Sequence, residues 1–116
     1  MKKLFLGAMA LIAAVTLVAC GSKKDAYESI KENKKLVVAV SPDYAPFEFK
    51  TLVDGKDQVV GSDIKLAQAI ADELGVKLEV TTMSFDNVLS SLQSGKADLA
   101  ISGISVTAER KKTFDF

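Results

Sequence analysis

Histidine is absent from this sequence and cysteine occurs once. Those two gaps exclude histidine-based zinc sites, Ser-His and Cys-His nucleophile systems and any intramolecular disulfide, which removes most common enzyme chemistries. An excess of charge is missing too, since 15 basic and 15 acidic residues cancel. No electrostatic case therefore arises for nucleic acid or for a polybasic membrane patch. Nor does the chain carry a Gly-rich phosphate fingerprint, an internal repeat or a low-complexity tract. No cofactor and no metal are expected. What remains is 116 residues, 48% of them hydrophobic, with 7 Gly and 2 Pro. That composition excludes wholesale disorder and collagen, and the length allows one modest core.

The hydrophobicity is concentrated at the start. Lys2 and Lys3 precede an apolar run over residues 4–14, and the stretch closes on Leu17-Val18-Ala19-Cys20-Gly21. This pattern resembles a bacterial lipoprotein signal peptide. The lysines would stay cytoplasmic, the run would enter the membrane, and small Ala19 would let a peptidase reach the bond before Cys20. The resemblance implies lipid on Cys20. The alternative is a retained anchor, for which the run is short against the roughly 20 residues of a membrane span. Residues 1–19 are thus assigned to the signal peptide. Their removal leaves 13 basic against 15 acidic residues, so lipid rather than charge would hold the chain on the extracytoplasmic face of the cell membrane, where two acyl chains suffice. Residues 20–35 are assigned to the lipidated cysteine and a tether with a short helical end, because Lys, Asp, Glu and Ser dominate and only Ala26, Tyr27 and Ile30 could join a core.

Residues 36–116 form the expected domain. Leu36-Val37-Val38-Ala39-Val40 is a continuous apolar run rich in β-branched residues, as suits a central parallel strand buried on both faces. Pro42 and Pro46 break it into a loop, since neither can donate to a ladder. Phe47-Glu48-Phe49-Lys50 and Gln58-Val59-Val60 flank Asp54-Gly55, the pattern of a hairpin. Ile64, Ala67, Ile70, Ala71 and Leu74 recur at helical spacing between Asp63, read as the cap, and Gly75, read as the stop. Residues 77–81 alternate with period two as a half-buried strand. Asp86 is read as the cap of a second helix through Gln93, with Val88, Leu89 and Leu92 inward and Gly95 as its stop, and residues 98–102 as a third strand. Two crossover units in this order predict a three-layer α/β fold with right-handed connections. Ligands in such sheets collect at the carboxyl ends of strands, where residues 41–46 and 102–110 place two polar loops.

The second loop carries a binding chemistry. Gly103 allows close backbone approach, Ser105 offers a hydroxyl and an amide, and Thr107 can cap a short helix bearing Arg110. A guanidinium beside free amides suits a carboxylate, because the fork donates two parallel hydrogen bonds. A capped surface helix with a solvated arginine fits the same spacing.

Four segments, however, stand in an order that resembles the family 3 solute-binding proteins of amino-acid ABC importers. They are Pro42-Asp43-Tyr44-Ala45-Pro46-Phe47-Glu48; Val60-Gly61-Ser62-Asp63-Ile64-Lys65-Leu66-Ala67; Ser84-Phe85-Asp86-Asn87-Val88-Leu89 with Leu92-Gln93-Ser94-Gly95-Lys96-Ala97-Asp98; and Ser102-Gly103-Ile104-Ser105-Val106-Thr107-Ala108-Glu109-Arg110. Ser62 departs from the aromatic usual there. The resemblance implies the N-terminal lobe of a type II periplasmic-binding-protein-like fold, an extracytoplasmic amino acid as ligand and an ABC permease as partner. It implies that Arg110 and the amide of Ser105 hold the ligand α-carboxylate, and that the Ser105 hydroxyl and the Gly103 carbonyl accept from its α-ammonium. Tyr44 and Phe85 would flank its side chain, for which core packing is the alternative, and Ser102 would line the pocket. In the family a second lobe completes the cleft and the chain then returns to the first. The expectation is thus an incomplete lobe with the second lobe absent, weak in affinity and marginal in stability when alone. Two other activities go with this fold: a cyclohexadienyl-type dehydratase, for which Asp43 is the loop carboxylate, and a ligand-sensing receptor domain.

Overall fold

The computed structural model describes residues 25–116. The leader, Cys20 and the first part of the expected tether lie outside the described residues. The elements run α1 (Ala26–Asn33), β1 (Lys35–Val40), β2 (Asp43–Tyr44), β3 (Glu48–Val53), β4 (Lys56–Val60), α2 (Ser62–Leu74), β5 (Lys77–Thr82), α3 (Phe85–Gln93), β6 (Leu99–Ala100) and a single 3-10 turn, Arg110–Lys112.

The apolar run becomes the middle strand of a parallel sheet ordered β5-β1-β6, with Lys35 opposite Lys77 and Val40 opposite Thr82. Its side chains divide between two faces. Leu36, Val38 and Val40 pack with Ala67 and Ala71 of α2, while Ala39 packs with Val88 of α3 and with Ala97. Helix, sheet, helix is the three-layer arrangement expected, and small Ala67 and Ala71, both fully buried, let α2 approach the sheet closely.

Three expected boundaries move, each for a local reason. Helix α2 begins at Ser62, and Gly61 rather than Asp63 holds the cap position. The first amides of α2 already have partners: Ser62 N–H donates to the Pro46 carbonyl at 3.2 Å and Asp63 N–H to the Phe47 carbonyl at 2.9 Å. No capping side chain is needed, and Gly61 is required by its φ of 128° and by the space, since a Cβ there would collide with the Phe47 carbonyl. Helix α3 starts at Phe85 with Ser84 as its cap residue, so Asp86 sits inside the first turn. The third strand contracts from residues 98–102 to two residues, because side chains replace backbone at both ends. Asp98 Oδ2 accepts from Val37 N–H at 2.9 Å, and Ser102 Oγ accepts from Ser41 N–H at 2.8 Å.

The short helical end expected within residues 20–35 is α1, Ala26–Asn33. Helix α1 folds back on the domain, burying Ile30 in the α2-side core, and Lys31 Nζ donates to the Leu74 carbonyl at 2.6 Å. The hairpin is longer than its sequence signal and turns at Asp54-Gly55, with φ of 51° and 77°. Such a two-residue turn with both φ positive matches strand twist. The expected loop at Asp43-Tyr44 adds a third strand to it, pairing Tyr44 with Glu48. No described helix is long and apolar enough to cross a membrane.

Candidate functional site

The carboxyl ends of β1, β5 and β6 open on one side of the sheet. The chain leaving β1 supplies Asp43 and Tyr44, that leaving β5 supplies Phe85 at the start of α3, and that leaving β6 supplies Ser102 and Gly103. With Glu48 of β3 these residues line a cleft of about 360 Å³. Four of the six residues named from the sequence, Tyr44, Phe85, Ser102 and Gly103, therefore meet in one place. Tyr44 and Phe85 are both exposed, so neither is a core side chain. Tyr44 lies against Phe47, ring centroids 5.1 Å apart, and over Gly103. A Cβ on Gly103 would stand 3.1 and 3.2 Å from ring carbons of Tyr44, at a φ of 59°. The close approach that this glycine permits is the approach of an aromatic wall.

The other two, Ser105 and Arg110, are absent from that lining and sit together on the turn beyond it. Thr107 Oγ1 accepts from Arg110 N–H at 3.1 Å, the cap expected, and Arg110 Nη1 donates to the Ser105 carbonyl at 2.8 Å. The guanidinium thus folds over its own loop, half-buried, with no acidic partner within ion-pair distance among the described residues.

Below the aromatic rim the wall is polar and buried. Ser41 donates its N–H to Ser102 Oγ and its hydroxyl to Asp43 Oδ1 at 3.1 Å. Ser102 donates its own hydroxyl to Glu48 Oε1 at 2.9 Å. Glu48 is 1% exposed, and its Oε2 has no donor among the described residues. Burial, followed by the neighbouring Asp63 carboxyl and the negative charge of Asp43, raises the Glu48 pKa to about 7, against the opposing hydrogen bond from Ser102. Sequence reasoning passed over Glu48. Its signal was a carboxylate between Phe47 and Phe49 in a hairpin strand, where alternation already placed it on a face of its own. No group of three or more metal-ligating side chains is assembled among the described residues.

Comparisons with known proteins follow the same boundaries. A family model described as bacterial extracellular solute-binding proteins, family 3, matches residues 36–116. The arginine-binding extracellular protein ArtP of Bacillus subtilis (strain 168) is 43% identical over all of this chain and 43% of its own length. A cyclohexadienyl dehydratase of Pseudomonas aeruginosa is 36% identical over 92% of this chain and 38% of its own. Among solved structures, an amino acid ABC transporter substrate-binding protein from Streptococcus pneumoniae bound to L-arginine shares 73% identity and a TM-score of 0.78, over 80% of this chain and 39% of that one. The arginine-bound form of domain 1 from TmArgBP shares 44% identity and a TM-score of 0.66, over 72% of this chain and 64% of that one. The chain spans less than half the length of the curated relatives it matches.

Proposed function

We propose, from the premise that this chain belongs to the bacterial extracellular solute-binding proteins of family 3, that it forms one wall of an amino-acid-binding cleft. The ligand is an amino acid captured outside the cytoplasm and delivered to an ABC permease, and lipid on Cys20 holds the protein to the membrane. The observation that carries this reading is the meeting of Tyr44, Phe85, Ser102 and Gly103 at the carboxyl ends of three strands. Arg110 and the Ser105 amide take the α-carboxylate, the Ser105 hydroxyl and Gly103 carbonyl accept from the α-ammonium, and Tyr44 and Phe85 flank the side chain. A zwitterion needs donors and acceptors a few ångströms apart, and the turn and the wall supply one set each. The acidic side chain of Asp43 in the lining suits a ligand with further positive charge, and the arginine-bound relatives support that choice.

Capture works by differential affinity: a ligand that contacts two lobes favours their closed arrangement and needs no reaction. Titration calorimetry with L-arginine and the other amino acids tests the reading. Saturable one-to-one heat for a cationic amino acid is the result expected, and no heat for any amino acid overturns it. The arginine-bound form of domain 1 from TmArgBP makes a lone lobe a reasonable object for that titration. The dehydratase relative keeps a second reading in play, because Asp43 lines the cleft. Its carboxylate, however, is occupied by the Ser41 hydroxyl, and turnover of a cyclohexadienyl acid would decide for it.

A further inference from the structure

We propose that Glu48 is the positioning residue of this cleft: its buried carboxyl takes the Ser102 hydroxyl proton on Oε1, so that Ser102 can only accept from a ligand. The proposal rests on the cleft reading for its functional consequence and on geometry for its substance.

A serine hydroxyl has one proton and two lone pairs. Ser102 spends the proton on Glu48 Oε1 and one lone pair on Ser41 N–H. One lone pair is left to face the cleft that Ser102 lines. It can meet an N–H or an ammonium and cannot donate to a carboxylate. Without Glu48 the hydroxyl would be free to rotate and to present either polarity. The wall then becomes an acceptor surface throughout, opposed to the guanidinium of Arg110, and an amino acid lying the wrong way round would meet acceptors with its carboxylate.

The state of Glu48 follows from what surrounds it. Asp63 is brought against the hairpin by its N–H bond to the Phe47 carbonyl. Burial and the neighbouring acidic groups hold the Glu48 carboxyl above the usual carboxylate range, and the Ser102 hydroxyl bond opposes them. The titratable groups bearing on Glu48 are Asp63 on α2 and Asp43 on β2. The ends of β1 and β6 contribute only the uncharged Ser41 and Ser102.

The test has two arms on the full mature chain. In the first, carbon-13 NMR follows the Glu48 carboxyl through a pH titration. A midpoint near 7 is expected, moved up by Ser102→Ala; a midpoint that Ser102→Ala leaves in place overturns the proposal, because the hydroxyl then does not donate to the carboxyl. In the second, L-arginine affinity is measured for Glu48→Ala, Glu48→Gln, Ser102→Ala and the double Ala variant. Glu48→Ala and Ser102→Ala should each weaken binding roughly tenfold, the double variant no further, and Glu48→Gln should recover most of the loss, because its amide oxygen can still accept from Ser102. Additive losses, or a Gln variant as weak as the Ala one, overturn it. Should Glu48→Ala fail to fold, Glu48→Met, which keeps volume without an acceptor, takes its place in the cycle. A wild type that binds no amino acid would defeat the cleft reading, and the response of the carboxyl titration to Ser102→Ala would still decide the Glu48–Ser102 pair by itself.

Discussion

The two polar parts of the site are built differently. The wall is deep and wired: Ser41, Glu48 and Ser102 are all buried, and bonds between them tie β1, β3 and the end of β6 together. The Arg110 turn is open: Ser105, Thr107 and Glu109 are exposed, and the guanidinium is held by one carbonyl of its own loop. Buried polar groups must be partnered or they cost the fold dearly, so the wall is rigid before any ligand arrives. An exposed turn carries no such obligation, and its arginine is free to exchange a loop carbonyl for a ligand carboxylate. The difference separates what a residue does for folding from what it does for binding, and each prediction below presses on that separation.

The largest effect belongs to the turn and to affinity. Arg110→Ala should cost roughly 2–5 kcal/mol of amino-acid binding where the ion pair is desolvated on closure, while thermal unfolding hardly moves. Arg110→Lys should also weaken binding, since an ammonium cannot reproduce the planar fork. Calorimetry and melting on the same samples check both halves, and unchanged affinity would return Arg110 to a solvated surface role.

The wall should answer to pH. Folded Glu48 titrates near 7 against 4.5 for the unconstrained group, so between those values the folded chain holds a proton that the unfolded chain has released. Its contribution to stability is fully present below about 4.5 and is lost as pH rises through about 7. The loss should amount to roughly 2–3 kcal/mol for a group this buried. Denaturant unfolding at pH 5 and pH 8 should therefore show wild type losing stability relative to Glu48→Gln. A constant difference between the two proteins across that range would show that the carboxyl does not titrate there.

Ser102→Ala comes next, now through the fold. It strands the Ser41 N–H and one Glu48 oxygen in a buried site, at a cost of about 2 kcal/mol, since an unsatisfied buried donor loses its water without a replacement. Urea unfolding measures it. A cost below about 0.5 kcal/mol would mean that water reaches both groups.

This contrast also explains what the sequence made legible. Period and composition located the central strand, both crossover helices, the hairpin turn and the two loops, because those features are set by burial patterns local to each segment. Tyr44, Phe85, Ser102 and Gly103 were named through the family resemblance, Phe85 from the segment that opens α3 and the others from these loops, and the four share the cleft. The wiring was not legible. Asp98 and Ser102 each bond a residue 61 positions away, and Glu48 reaches Ser102 across 54; no local window contains such pairs. Helix α1 was legible as a short helical end, but its packing on the domain was not, since one buried isoleucine and one lysine bonded to the end of α2 give little periodicity. Its tether-like composition describes its exposed face alone.

The smallest effect returns to the turn. Thr107 accepts from Arg110 N–H, the work of a helix cap, but it caps a single exposed 3-10 turn on which nothing in either core rests. Removing a cap from a full helix costs about 1 kcal/mol. Here the stability change from Thr107→Ala should be smaller, within about 0.5 kcal/mol, because the turn can fray without opening the sheet. Affinity should still fall by a few fold, since a frayed turn must be reordered before Arg110 can meet a carboxylate. Thr107→Ser, which keeps the acceptor, should restore it. Measuring both quantities on both variants sharpens the comparison at its weakest point: a stability loss as large as that of Ser102→Ala would show that the turn is wired into the fold after all and that wall and turn are one structure.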